Sequence, residues 1–146
     1  MKSIVIGLLV GFIAWQATAG EEQWTTDLSK AQEKAKKEKK MVLVDFTGSD
    51  WCPPCKALHK NVFTSDEFLK YAKDNLVLVE VDFPKGKPQS TEVKKANEEL
   101  AKKHQVEAFP TVIVFDSEGK ELKRESGYDG TRPAQYIAKL KKLQKA

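Results

Sequence analysis

The chain has 146 residues, 40% of them hydrophobic and 32% charged, which makes one ordinary domain with a core and excludes both two independent units and a disordered chain. Its 25 Lys and Arg against 21 Asp and Glu leave a net charge of +4, a small and interleaved excess that makes no case for nucleic acid. Two cysteines exclude a disulfide-stapled miniprotein and a four-cysteine zinc site, and no fixed-period repeat marks a solenoid.

The chain opens with Met1-Lys2-Ser3, an apolar run over residues 4–15, and Gln16-Ala17-Thr18-Ala19. A positive charge, a short apolar stretch and an A-x-A end are the parts of a secretory signal. The run has 12 residues, short of the ~20 that cross a bilayer as a helix. The pattern predicts a signal peptide over residues 1–19, cleaved to leave a domain over residues 20–146 in the periplasm or outside the cell. An uncleaved membrane anchor is the alternative.

Residues 24–40 read as a helix capped by Thr26 or Asp27, with Leu28, Ala31 and Ala35 at helical spacing. Its Lys/Glu-rich end reads as a solvated face. Residues 41–46 (MVLVDF) form a short apolar run, a buried strand, ending at Thr47-Gly48-Ser49. Asp50-Trp51-Cys52-Pro53-Pro54-Cys55 leads into a helix over residues 53–61, since proline suits the first helical positions. Thr64 and Glu67 have capping-box spacing ahead of a helix with Phe68, Leu69 and Tyr71. Residues 76–82 (LVLVEVD) give a second central strand, and 83–89, with Pro84, Gly86 and Pro88, a loop. Residues 91–104 read as a helix with Val93, Ala96 and Leu100 on one side, and 111–115 as a strand. A turn at 116–119, a hairpin strand at 120–126, a turn at 127–132 and a helix at 133–145 with Ile137, Leu140 and Leu143 inward complete the chain. The order α-β-α-α-β-α-β-β-α predicts an α/β fold: a mixed central sheet with helices on both faces.

The chemistry gathers at Cys52 and Cys55. The first cysteine falls at a helix start, where unpaired N–H groups and the macrodipole favour a thiolate. The second is one turn on, so a disulfide closes and opens with little backbone motion. Cys52 would attack a partner disulfide, and Cys55 would then release the partner. A purely structural bond is the duller reading, but so small a loop removes little entropy from the unfolded chain. Cys52, Cys55 and His59 also form C-x2-C-x3-H, which keeps open a copper-binding or apocytochrome-chaperone module. A closed zinc site lacks a fourth ligand, because nothing brings His104 near. Lys56 occupies the position where haem attachment needs histidine.

Val44-Asp45-Phe46 followed by Trp51-Cys52-Pro53-Pro54-Cys55-Lys56 resembles the active-site segment of the thioredoxin superfamily, and Phe109-Pro110-Thr111-Val112 resembles its cis-proline segment. Gly119 and Gly127 fall near the family's hairpin glycines. The Phe46-Thr47-Gly48-Ser49-Asp50-Trp51 stretch is similar to the secreted thioredoxin-like subgroup that includes the C-terminal domain of the thiol:disulfide interchange reductase. The resemblance covers about residues 24–145 and implies a thioredoxin fold. It makes Cys52 the nucleophile, Cys55 the more buried resolving thiol, and Pro110 the cis-proline whose neighbouring backbone holds a client. Trp51, Pro53, Phe109 and Thr111 join Pro110 as the substrate-binding rim. Asp45 matches the buried acid that assists proton transfer, one residue further from the first cysteine than in thioredoxin, with Glu80 as rival. Leu78 takes the place of the family's lysine facing that acid.

These readings predict a secreted or periplasmic thiol–disulfide oxidoreductase, a protein-disulfide reductase or interchange enzyme. No cofactor and no metal are expected. The expected partners are client proteins with cysteines or disulfides and an upstream electron donor such as a membrane thiol reductase, with the protein itself a monomer.

Overall fold

A computed structural model describes residues 23–145. The signal-peptide expectation over residues 1–19 lies outside the described residues. Five strands form one sheet in the order β1-β3-β2-β4-β5, from β1 (Trp24–Thr25), β2 (Met41–Thr47), β3 (Leu76–Asp82), β4 (Thr111–Phe115) and β5 (Glu121–Ser126). β1 and β2 run parallel to β3, whereas β4 pairs antiparallel with β2 and with β5. The mixed sheet expected from the element order is the one observed.

The period-2 alternation of β2 and β3 decides which helix covers which face. Leu43, Leu78, Val112 and Val114 point to one side, into a cluster with Leu58, Val62, Phe63, Phe68, Tyr136 and Leu140. That side is covered by α2 (Pro53–Leu58), its π-helical continuation (His59–Phe63), α3 (Asp66–Asn75) and α5 (Pro133–Gln144). Val42, Val44, Phe46, Val79 and Val81 point the other way, against Leu28, Ala31 and Ala35 of α1 (Leu28–Glu38) and Leu100 and Ala101 of α4 (Thr91–Lys103). Helices therefore lie on both faces. Phe63 carries much of the join on the first side. It is fully buried, with the rings of Trp24, Phe68 and Tyr136 5.2, 5.1 and 5.8 Å away, and burial of one such ring contributes roughly 1.5–3 kcal/mol.

Four local expectations need correction. Trp24 and Thr25 pair with Leu78 and Val79 as an edge strand instead of starting the first helix, because Asp27, which accepts from the Lys30 N–H, caps α1 only afterwards. Helix α3 is capped by Ser65, not Thr64: the Ser65 hydroxyl accepts from the Phe68 N–H. The Thr64 hydroxyl is already used, donating toward the carbonyls of His59 and Lys60 where the π-helical turn ends. On α4, Val93 is 44% exposed and Ala96 is exposed, while Asn97 is buried. The amide of Asn97 donates to the Asp82 carbonyl at 2.9 Å, so a hydrogen bond, together with the packing of Leu100 and Ala101, turns that face inward. The helix through Cys55 runs past residue 61 to Phe63, because its last turn widens to π geometry.

Candidate active site

Strand β2 delivers the chain to the site. After Thr47 it turns on Gly48, whose carbonyl accepts from the N–H groups of Trp51 at 3.3 Å and Cys52 at 2.9 Å. Pro53 and Pro54 then open α2 with Cys52 at its N-cap. Cys52 and Cys55 are joined in a disulfide with their Cα atoms 5.2 Å apart. Cys52 is 3% and Cys55 2% exposed. Both cysteines are thus buried in the disulfide state, Cys55 only marginally more than Cys52.

The second segment opens β4, which pairs antiparallel with β2 so that Thr111 lies opposite Phe46 at the end of β2. The Phe109–Pro110 peptide is cis, and the Phe109 carbonyl oxygen lies 3.7 Å from Cys52 Sγ. Gly127, at φ +81°, turns β5 back so that its N–H donates to the Pro110 carbonyl at 2.8 Å. Thr111 is buried, and its hydroxyl donates to the Ala108 carbonyl at 2.6 Å. Thr111 is therefore placed to hold the proline segment, not to touch a partner with its side chain. Pro110 is buried too, while Trp51 and Phe109 are half-buried and Pro53 is exposed.

On β2, Asp45 shares the parity of Leu43 and so points to the face covered by α2. It is 3% exposed, and its Oδ1 has no hydrogen-bond partner. Burial, reinforced by the nearby Glu80 and Asp82 carboxylates, pushes its pKa well above the usual carboxylate range. The residue opposite Asp45 on β3 is Glu80, not Leu78, which pairs with Leu43. The apolar run of β3 gave no register by itself; the pairing shows an acid where the family's lysine was sought. Glu80 is half-buried, and burial and then Asp82 raise its pKa, against the opposing pull of His59 and Lys87.

A wall that the sequence showed only as a loop closes the outer side. Trp51 donates its indole N–H to the Phe83 carbonyl at 2.7 Å and meets the Phe109 ring edge-on at 6.1 Å. The Phe83 ring lies 5.0 Å from that of Phe109. A Cβ on Gly48 would come within 2.4 Å of the Trp51 indole, so glycine is required there for the ring to lie against the turn. Two aspartates stitch the turn to the loop in opposite senses. Asp50 accepts from the backbone N–H groups of Lys85 at 3.0 Å and Gly86 at 2.6 Å, and these bonds, that of Lys85 foremost, hold its carboxyl below the usual range. Asp82 accepts from the Ser49 N–H at 3.0 Å and hydroxyl at 2.6 Å. Lys85 Nζ stands 3.9 Å over the Trp51 ring. Sequence reading missed Phe83, Asp50 and Lys85. The aspartate beside Trp51 and the glycine in the loop were visible, but only the β2–β3 register brings them together.

His59 is exposed on the π-helical turn, and His104 lies against Phe46 and Phe115 on the opposite face of the sheet. Among the described residues, no three His, Cys, Asp or Glu side chains are grouped to hold a metal ion. The copper-module alternative gains no support from the geometry.

The thioredoxin-like domain family matches residues 28–144. The chain is 37% identical over 123 residues to the disulfide bond reductase DsbH of Chlamydia pneumoniae, covering 84% of this chain and 73% of that protein. A solved DsbH oxidoreductase structure superposes with a TM-score of 0.77 at 36% identity, over 84% of both chains. The thiol:disulfide interchange protein DsbD of Photorhabdus laumondii is 32% identical over 106 residues, a stretch that spans only 17% of that longer protein. The C-terminal domain of Neisseria meningitidis DsbD, with a TM-score of 0.60 at 23% identity over 80% of this chain and 93% of that one, shares the fold. With its cysteine pair set against a cis-proline segment and the domain match running through nearly all the described residues, the chain belongs to the thioredoxin-like family and is a disulfide oxidoreductase of that kind.

Proposed function

We propose that this oxidoreductase works in the periplasm or outside the cell and reduces or exchanges disulfides in client proteins, with Cys52 as nucleophile and Cys55 as resolving thiol. The observation that carries this reading is the seat of the disulfide, at a proline-started helix with Cys52 Sγ 3.7 Å from the Phe109 carbonyl. A client strand laid along the Phe109–Pro110 backbone brings its own sulfur to Cys52.

In the reducing direction the Cys52 thiolate attacks one client sulfur. The client S–S bond breaks, and its other sulfur leaves as a thiolate. Cys55 gives up its proton, attacks Cys52 Sγ, and expels the client's second sulfur. The client gains two electrons, and the chain is left with the Cys52–Cys55 disulfide. Asp45 is the group proposed to exchange a proton with Cys55, since burial shifts its pKa upward, in the direction of a thiol's. Trp51, Pro53, Phe109 and Pro110 form the rim that receives the client. An external donor, such as a membrane thiol reductase, returns the two electrons. The N-terminal pattern over residues 1–19 supports the location, and the reductase named in DsbH supports the direction.

The test is insulin reduction together with trapping. Cys52→Ser reduces insulin no faster than background. Cys55→Ala accumulates client proteins as mixed disulfides on Cys52 in the native compartment, and an empty trap contradicts the reading. Equilibration with glutathione gives the direction: a potential as high as that of a strong oxidant, about −120 mV, excludes a reductase.

A further inference from the structure

We propose that Phe83, Lys85 and Gly86, held in place by Asp50, form a partner-selecting wall at Cys52 that admits a thiol carried on an extended protein segment and retards small free thiols. The inference rests on the exchange reaction assigned to Cys52 above and adds the class of thiol that reaches it.

A nucleophile must approach Cys52 Sγ roughly in line with the bond it breaks. Cys52 is 3% exposed in the disulfide form, so something has to give way before attack. On the outer side the chain neighbour of Cys52 is Trp51, which is held from four directions. Gly48 lies under its ring, the Phe83 carbonyl takes its N–H, Phe109 meets it edge-on, and Lys85 Nζ sits over it. Two of these holds come from residues 83–86. That loop is fastened to the cysteine turn by the two N–H bonds to Asp50, and its root is fastened by Asp82 and Ser49. The Phe83 N–H also donates to the Thr47 carbonyl at 2.8 Å, so the wall continues the β2–β3 ladder past its last pair. Asp50 touches neither sulfur and acts as a positioning residue.

Displacing Trp51 breaks its indole hydrogen bond and uncovers apolar ring surface. A segment of several residues along Phe109 re-covers that surface with its own side chains as it delivers its sulfur. A free thiol of small size re-covers almost none. The wall therefore leaves the equilibrium of the reaction untouched and changes which thiol gets through. In either case a thiolate attacks Cys52 Sγ, the Cys52–Cys55 bond breaks, and Cys55 leaves as a thiolate. A second thiol then attacks the mixed disulfide. Two thiols are oxidised to one disulfide, and the chain gains two electrons.

The test compares two probes on the full oxidised protein, glutathione and a synthetic ten-residue extended peptide with a single cysteine, following tryptophan fluorescence by stopped flow. In Asp50→Ala the glutathione rate rises relative to the peptide rate by about tenfold, the equivalent of one net hydrogen bond of closure, while the equilibrium constant with glutathione stays put. Gly86→Ala is a second variant, because its new methyl would come 3.1 Å from Asp50 Oδ2 and push on the same clasp. A rate ratio equal to that of the unmodified protein in both variants overturns the wall, as does a ratio that moves only in step with the equilibrium constant. If the unmodified protein reacts with neither probe, it is the assignment of Cys52 that fails.

Discussion

Two pairs of carboxylates flank the disulfide, and they are treated in opposite ways. On the outer side, Asp50 and Asp82 each accept two hydrogen bonds from the segment they fasten, and the pKa of Asp50 is drawn down. On the inner side, Asp45 and Glu80 are partners across β2 and β3. One oxygen of Asp45 is unpartnered, and both pKa values are pushed up. The outer pair is structural: its oxygens accept from N–H and O–H donors. Asp45 is kept short of donors, which costs stability and marks it as a candidate for proton transfer.

The largest effect breaks the inner side. Asp45→Asn lowers insulin turnover by about a hundredfold, the scale of a lost general acid–base group, and abolishes the corresponding inflection in the pH–rate profile. The same variant is more stable than the parent by about 1–3 kcal/mol near pH 8, because asparagine brings no charge into the buried position. The sign follows from linkage: a raised carboxyl pKa leaves the folded state holding more protons than the unfolded state, so the contribution of Asp45 declines as pH rises through its folded value. The stability gap between Asp45→Asn and the parent therefore widens from acid to neutral pH. Asp50 gives the opposite trend: its depressed pKa keeps the clasp whole above the usual carboxylate range, and the clasp is lost as pH falls through the folded value. Denaturant melts at several pH values read both.

A smaller effect bears on the outer side. Gly48→Ala drives a methyl into the Trp51 ring and destabilises by about 1–3 kcal/mol, the usual range for overpacking, with a changed tryptophan emission spectrum. The smallest is Lys85→Met, which removes the cation over Trp51 at an exposed site and costs about 0.5–1 kcal/mol. Thermal melts order the two.

The sequence made the central features legible where local pattern and chemistry coincide. The apolar runs of β2, β3 and β4, the proline-started helix at Cys52 and the hairpin after Phe115 all have the residues such elements need. The cis-proline segment and the buried acid were reached only through family resemblance. What stayed hidden depends on register and tertiary pairing. The apolar run that opens β3 gives no alternation, so which of Leu78 and Glu80 lies opposite Asp45 was settled only by the pairing. Val93 and Ala96 keep helical spacing but face outward, since Asn97 has the buried bond to Asp82. Ser65 displaced Thr64 as cap because the π-helical turn before it had already taken the threonine's hydroxyl.

The two borders of the sheet also differ from its centre. One is closed by only the two residues of β1; the other, β5, is studded with paired charges, Arg124 on Glu121 and Lys123 on Glu125. A stunted margin on one flank with an ionic margin on the other denies a foreign strand a template for fibrous stacking.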